Sequence, residues 1–216
     1  MTSGGFDHRR AKVRSRIEAA VLDLGAPAVH AAHGERKQRV IGAMRGTVVE
    51  IGPGTGANLR YYAPDVRVIG IEPNPAMHGR LRDSAHGHGV DLEVREVKGE
   101  QLPVGDDTAD AVVCTLVLCG VDDPAQVLGE VERVLKPGGT FFFLEHVAAP
   151  EGTVDRAVQR AVRRPHRWMF NGCDVTRDTG RLIREAGFAD VEIHTWVGPV
   201  TAGLYVRHQI IGTATV

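Results

Sequence analysis

The segment Val48-Val49-Glu50-Ile51-Gly52-Pro53-Gly54-Thr55-Gly56-Ala57-Asn58 carries most of the information about the fold. It leaves a β-branched apolar run, passes three alternating glycines and enters a helix-like stretch. β-branched residues favour strands, and glycine admits positive φ and lets a ligand come close to the backbone. The helix start that follows supplies free N–H groups. Outward from this point the pattern repeats. Strands are predicted at Thr47–Ile51, Val66–Ile71, Leu92–Val97, Ala111–Leu118 and Thr140–Glu145, with helices near Asn58–Tyr62, Pro75–Ala85 and Pro124–Leu135. Alternating β and α segments with continuous apolar strands predict a parallel sheet covered on both faces, a doubly wound α/β sandwich.

Beyond Glu145 the order changes. Helices are expected at Thr153–Arg167 and Arg177–Ala186, then strands at Val191–Val197 and Leu204–Thr213. Gly198, Pro199 and Gly203 between the two strands favour a hairpin, and hence an antiparallel last strand. The first 45 residues read as helix, with Val13, Ile17, Ala20, Val21 and Leu24 at spacings of three and four among several arginines. Such a basic amphipathic helix usually covers a core, and contact with an anionic membrane surface is its second reading. The expected organisation is an N-terminal helical lid or extension, 1–45, and a ligand-binding domain, 46–216.

Composition narrows the function classes. The chain has 216 residues, with 26 Lys+Arg against 27 Asp+Glu, so it lacks the concentrated basic charge that binding nucleic acid requires. No apolar run reaches the roughly 20 residues of a transmembrane helix. The opening MTSGGFDHRRAKVRSR has no signal-peptide core. Three cysteines, Cys114, Cys119 and Cys173, make no disulfide framework and suit a reducing, cytoplasmic setting. Cys114 and Cys119 lie five apart, which is not zinc-ligand spacing, and the His86–His88 pair offers two ligands at most, so no metal site is expected.

The glycines are spaced G-x-G-x-G rather than the G-x-G-x-x-G of dinucleotide loops, which argues against NAD or a flavin. Glu72 closes the second strand, where a carboxylate can accept both hydrogens of a ribose diol. With Gly99-Glu100-Gln101-Leu102-Pro103, Asp110-Ala-Val-Val-Cys114 and Leu135-Lys-Pro-Gly-Gly139, these motifs resemble, in order, the class I S-adenosylmethionine-dependent methyltransferases. The resemblance implies a seven-stranded sheet with its last strand antiparallel, and S-adenosylmethionine as cofactor. It places Glu50, Gly52, Gly54 and Gly56 around the methionine moiety, within a loop that includes Pro53 and Asn58. Glu72 would hold the ribose, and Pro73 and Asn74 would border the adenine. Gly99, Glu100 and Gln101 would face its other side, and Thr115 and Leu116 would lie beneath the sulfonium.

A finer resemblance, on Val113-Cys-Thr-Leu-Val-Leu-Cys119, Glu145-His-Val-Ala148, Gly172-Cys173 and Thr176-Arg177, is to animal methyltransferase-like thiol S-methyltransferases. It implies a small thiol as acceptor. An oxygen, nitrogen or carbon acceptor, such as a quinone precursor, is the alternative, and a cofactor-binding protein without turnover is the reading outside the enzyme class. Those relatives carry an N-terminal hydrophobic anchor, where this chain has its basic helix. A thiol suits the chemistry, because its pKa of about 8.5 leaves a few per cent thiolate at neutral pH. His146, after the fifth strand, is the candidate general base, with Glu145 beside it to orient the ring. Residues 165–173 and Val29–His33 are expected to wall the acceptor pocket, or, in the case of Trp168 and Phe170, to pack beneath a loop.

Overall fold

The computed structural model describes residues 25–170 and 172–216. The stretch of basic amphipathic helix expected before residue 25 lies outside them. Helix α1 runs over 25–41. Then follow β1 (Thr47–Ile51), a 3-10 turn (Leu59–Tyr61), β2 (Arg67–Ile71), α2 (Pro75–His88), β3 (Asp91–Arg95) and β4 (Ala109–Thr115). The second half comprises α3 (Pro124–Val134), β5 (Leu135–His146), α4 (Val154–Met169), α5 (Thr179–Glu185), β6 (Asp190–Val197) and β7 (His208–Thr215). The seven strands form one sheet in the order β3-β2-β1-β4-β5-β7-β6. β7 alone runs antiparallel, pairing with both β5 and β6, as the late glycine-proline break predicted.

Strand alternation divides the core. Val49, Ile51, Ile69, Ile71, Val112, Cys114, Phe141 and Phe143 face α3 and α5, meeting Val127, Leu128, Val131 and Ile183. Their neighbours Val48, Val68, Ala111, Val113, Phe142 and Leu144 face the other layer, with Ile41, Leu59, Leu81 and Ala85. Two helices start on a proline behind a capping side chain. Asn74 Oδ1 accepts from the Ala76 N–H before α2, and Asp123 Oδ1 accepts from Ala125 and Gln126 before α3.

Several boundaries differ from the sequence expectation. β4 stops at Thr115 although the apolar run continues to Leu118. Leu116 adopts φ 60, and the Glu145 carboxylate collects the N–H groups of Val117, Leu118 and Cys119, so the chain turns off the sheet. The helix expected at Asn58–Tyr62 is the short 3-10 turn, and α5 begins only after Asp178, its cap. β3 ends at Arg95, and β7 starts at His208 because residues 200–207 form a second 3-10 turn and its exit. Among the described residues, no helix is long and apolar enough to cross a membrane.

Candidate active site

The strand order reverses between β1 and β4, and a ligand crevice forms at the carboxyl ends of the strands at such a switch point. A cavity of about 730 Å³ lies there, lined by Gly52, Pro53, Gly54, Glu72, Pro73, Asn74, Gly99, Glu100, Thr115 and Leu116 among others. Gly52 and Gly54 have φ of 62 and 58, and a Cβ on Gly52 would come within 2.4 Å of Val117 Cγ2. The loop therefore needs glycine for both conformation and space. Glu72 ties the loop to the second strand. Its Oε2 accepts from Gly54 N at 3.0 Å and its Oε1 from Asn74 N at 2.9 Å. Burial pushes this carboxyl up, and the two N–H groups and His78 work against that shift. A carboxylate has acceptor capacity for about four hydrogens, so two directions remain for a diol.

Behind the loop stands a buried polar chain. Lys37 Nζ donates to Asn58 Oδ1 (2.9 Å), and Asn58 Nδ2 donates to Glu50 Oε1 (2.8 Å) and Thr115 Oγ1 (3.0 Å). Tyr62 donates its hydroxyl to Glu50 Oε2 (2.9 Å). Burial raises the Glu50 carboxyl and lowers the Lys37 ammonium to about 8, and the opposite charges offset part of each change. Glu50 and Gly56 thus sit behind the cavity lining, Glu50 as the anchor of Asn58 and Gly56 packed against Leu59 and Ser84. Gln101 is exposed and not among the lining residues, where Lys98 and Asp122 stand beside Glu100, so of the pair expected to face the adenine only Glu100 reaches the cavity. Sequence reasoning missed Lys37. The signal was there, since His33, Lys37 and Ile41 recur at four-residue spacing on the inward face of α1.

The far end of the cavity is lined by Val29, His30, His33, His146, His166, Phe170, Cys173, Trp196 and Tyr205. α1 is held over it by His33 Nε2 with Gln209 Oε1 (2.6 Å) and His30 Nδ1 with the Tyr61 hydroxyl (2.7 Å). Both expected wall segments therefore reach the cavity, but Trp168 is 70% exposed and neither lines it nor packs in the core. Glu145 does not orient His146. It lies on the opposite face of β5, fully buried beneath three N–H groups, and burial raises its carboxyl. His146 Nδ1 instead faces two sulfurs, Cys119 Sγ at 4.0 Å and Cys173 Sγ at 3.9 Å, which are themselves 3.3 Å apart. The hydrogen bond with Cys173, together with burial, drives the Cys119 thiol up. That same bond, with His146 and His166, pulls Cys173 down. Sequence spacing compared Cys119 with Cys114, which is a core residue near Glu145, and gave no sign of this cluster.

The glycine cradle that a Cβ would fill, and the buried carboxylate with two free acceptor directions, fit an adenosyl ligand with an amino-acid tail. Residues 49–143 match a family model described as a methyltransferase domain. The thiol S-methyltransferase TMT1B of Rattus norvegicus is 40% identical over 171 residues, covering 78% of this chain and 70% of that protein. TMT1A of Homo sapiens is 39% identical over the same shares. The structure of a SAM-dependent methyltransferase from Aquifex aeolicus superposes with a TM-score of 0.61 at 16% identity, covering 92% of this chain and 98% of that one. The fold and site define a class I methyltransferase whose cofactor is S-adenosylmethionine. The chain belongs to the methyltransferase family that includes the two mammalian proteins.

Proposed function

We propose that this enzyme methylates a small-molecule thiol, with His146 as the group that takes the thiol proton. The observation that carries the reading is the make-up of this cavity. Its acids, Glu72, Glu100 and Asp122, all belong to the cofactor end, whereas the opposite end offers imidazoles, the Cys173 thiol and aromatic walls. Each of those acids already holds hydrogen-bond partners: Glu72 has Gly54 and Asn74, Glu100 has the Asp122 N–H, and Asp122 has Lys98. A hydroxyl acceptor asks for a strong base, and a thiol needs only an imidazole. The names of the mammalian relatives point the same way.

When bound, S-adenosylmethionine supplies a methyl group on a positively charged sulfur, already activated for displacement. The protein's share is alignment, exclusion of water and management of one proton. We assign Gly52, Pro53 and Gly54 with Asn58 and Lys37 to the methionine end, Lys37 offering the cation for its carboxylate. Glu72 serves the ribose, Pro73, Asn74, Gly99 and Glu100 the adenine, and Thr115 and Leu116 the floor beneath the reacting centre. Helix α1, part of the 1–45 extension, acts as the lid through His30, His33 and Lys37. Three unbridged cysteines support the cytoplasmic setting.

Methyl transfer to matched pairs of small thiols and alcohols tests the reading, with S-adenosylhomocysteine and the methylated product followed by mass spectrometry. Methyl thioethers are expected from the thiols and no ether from the alcohols. Methylation of the alcohols at comparable rates would overturn the acceptor assignment.

A further inference from the structure

Cys119 follows the turn after β4, His146 ends β5, and Cys173 lies in the loop after α4, yet their side chains meet at the edge of the cavity, which His146 and Cys173 line. Their ligand atoms all lie within 4.8 Å of one another. On a tetrahedral zinc ion at ordinary bond lengths, two sulfurs stand about 3.8 Å apart, and a sulfur and a nitrogen about 3.6 Å. The observed separations are 3.3 Å for the sulfurs and 4.0 and 3.9 Å to His146 Nδ1. Each side of the triangle therefore needs a change of about 0.5 Å or less to close on such an ion.

We propose that Cys119, His146 and Cys173 form a site for one thiophilic divalent cation, zinc by its chemistry, whose fourth position is open to the thiolate of the methyl acceptor. The open-position half of this statement rests on the thiol reading above, and the three protein ligands do not depend on it. Two thiolates and an imidazole select zinc over the oxygen-seeking magnesium and calcium ions. Three protein ligands with one free position are the pattern of a reactive zinc centre rather than a structural one. Cys119 is fully buried, whereas His146 and Cys173 line the cavity, so the free face of the triangle is on the cavity side.

The surroundings are built for the purpose. Cys119 is fixed by its N–H to Glu145 Oε2 (3.1 Å) and by its carbonyl, which accepts from Asp174 N (2.7 Å). The buried Glu145 carboxylate behind it adds negative charge near the cation. An independent observation comes from His166. It is 8% exposed, it belongs to the same wall, and its buried Nε2 has no hydrogen-bond partner, so a polar group beside the triangle is left unsatisfied.

Loading exchanges one cation for two thiol protons, and an acceptor thiol releases a third proton when it takes the fourth position. A thiol on zinc is deprotonated outright at neutral pH. With Nδ1 on the metal, His146 keeps its hydrogen on Nε2. In the loaded enzyme it is a ligand, and the cation replaces it as the source of thiol acidity.

The test uses the reduced full chain under anaerobic conditions without S-adenosylmethionine, titrated with cobalt(II) as an optical probe and then with zinc as competitor. One cobalt per chain is expected, with a thiolate-to-cobalt charge-transfer band that zinc abolishes. Cys119→Ser and Cys173→Ser should each lose the band while still binding S-adenosylmethionine, which shows that they fold. A small thiol should shift and strengthen the band, and the matched alcohol should leave it unchanged. A reduced chain that takes up no cobalt overturns the site, as does a band that survives both substitutions or a cysteine pair found only as a disulfide. A band indifferent to the added thiol overturns the open position. Because no methyl donor is present, the result is independent of whether thiols are methylated.

Discussion

Glu145 and His146 are adjacent on β5 and do opposite work, because successive strand residues point to opposite faces. Glu145 goes inward and satisfies three N–H groups of the turn after β4, and His146 goes to the cavity. The reading of His146 as a base has a measurable consequence in chelator-treated enzyme, where no cation competes for Nδ1. His146→Ala should lower kcat/KM for a thiol by up to about 30-fold at pH 7, the reciprocal of the few per cent thiolate present without a base. At pH 9, where most of the thiol ionises unaided, the loss should be small. Equal losses at both pH values, read from a pH–rate profile, would leave His146 a positioning residue. Its place at the carboxyl end of the fifth strand was legible in the sequence, one residue off, since β5 itself runs to His146. The two sulfurs beside it were not, because 54 positions separate Cys119 from Cys173 and no local pattern links them.

At the scale of elements, the glycine loop works because three pieces of chain converge on it. The loop leaves β1, Glu72 at the end of β2 fastens Gly54, and Val117 from the turn after β4 closes over Gly52. Gly52→Val would set its Cβ 2.4 Å from Val117 Cγ2 at a φ of 62, so it should cost about 1–3 kcal/mol and weaken S-adenosylmethionine binding at least tenfold. Gly79 in α2 is the contrast, being exposed with nothing within 4 Å of an added Cβ. Gly79→Ala should raise stability by about 0.5–1 kcal/mol and leave cofactor affinity unchanged. Thermal melts and calorimetric titration of the two variants check both statements. Element type was readable from periodicity, and the glycines announced the loop. The end of β4 was not readable, because the run to Leu118 stays apolar and the turn depends on a carboxylate 27 residues away.

For the whole molecule, the C-terminal half is tied to the cavity wall by ion pairs that the sheet does not supply. Asp174, next to Cys173, is reached by Arg163 at 2.7 Å and Arg167 at 3.6 Å, and accepts from the Thr176 hydroxyl and N–H. Burial works to raise this carboxyl, but Arg163 and Thr176 prevail and hold it at about 2. A pKa depressed on folding gives stability that is present above the unfolded value of about 3.9 and lost as the pH falls toward 2. Asp174→Asn should therefore be less stable than the parent by about 1–2 kcal/mol at pH 7, allowing for solvent screening of the half-exposed Arg163. The difference should close between about pH 4 and pH 2. Urea unfolding across that range measures it. The comparison of the two chains is the useful quantity, because Glu50 and Glu145, whose carboxyls burial raises, tilt the total curve the other way.

The sequence by itself determined the doubly wound sheet, its antiparallel final strand, the glycine loop and the acid that closes the second strand. All of these rest on local periodicity, turn chemistry and short motifs, and such signals survive in one dimension. Only the tertiary structure decided that Glu50 and Gly56 stand behind the cavity lining, that Lys37 closes a buried chain with Asn58, and that Gln101 faces solvent. It alone brought Cys119, His146 and Cys173 within reach of one ion. The physical reason is common to all of them. A side chain's partners across the sheet are set by strand order and loop closure, and those bring together residues whose separation along the chain carries no trace of their distance in space.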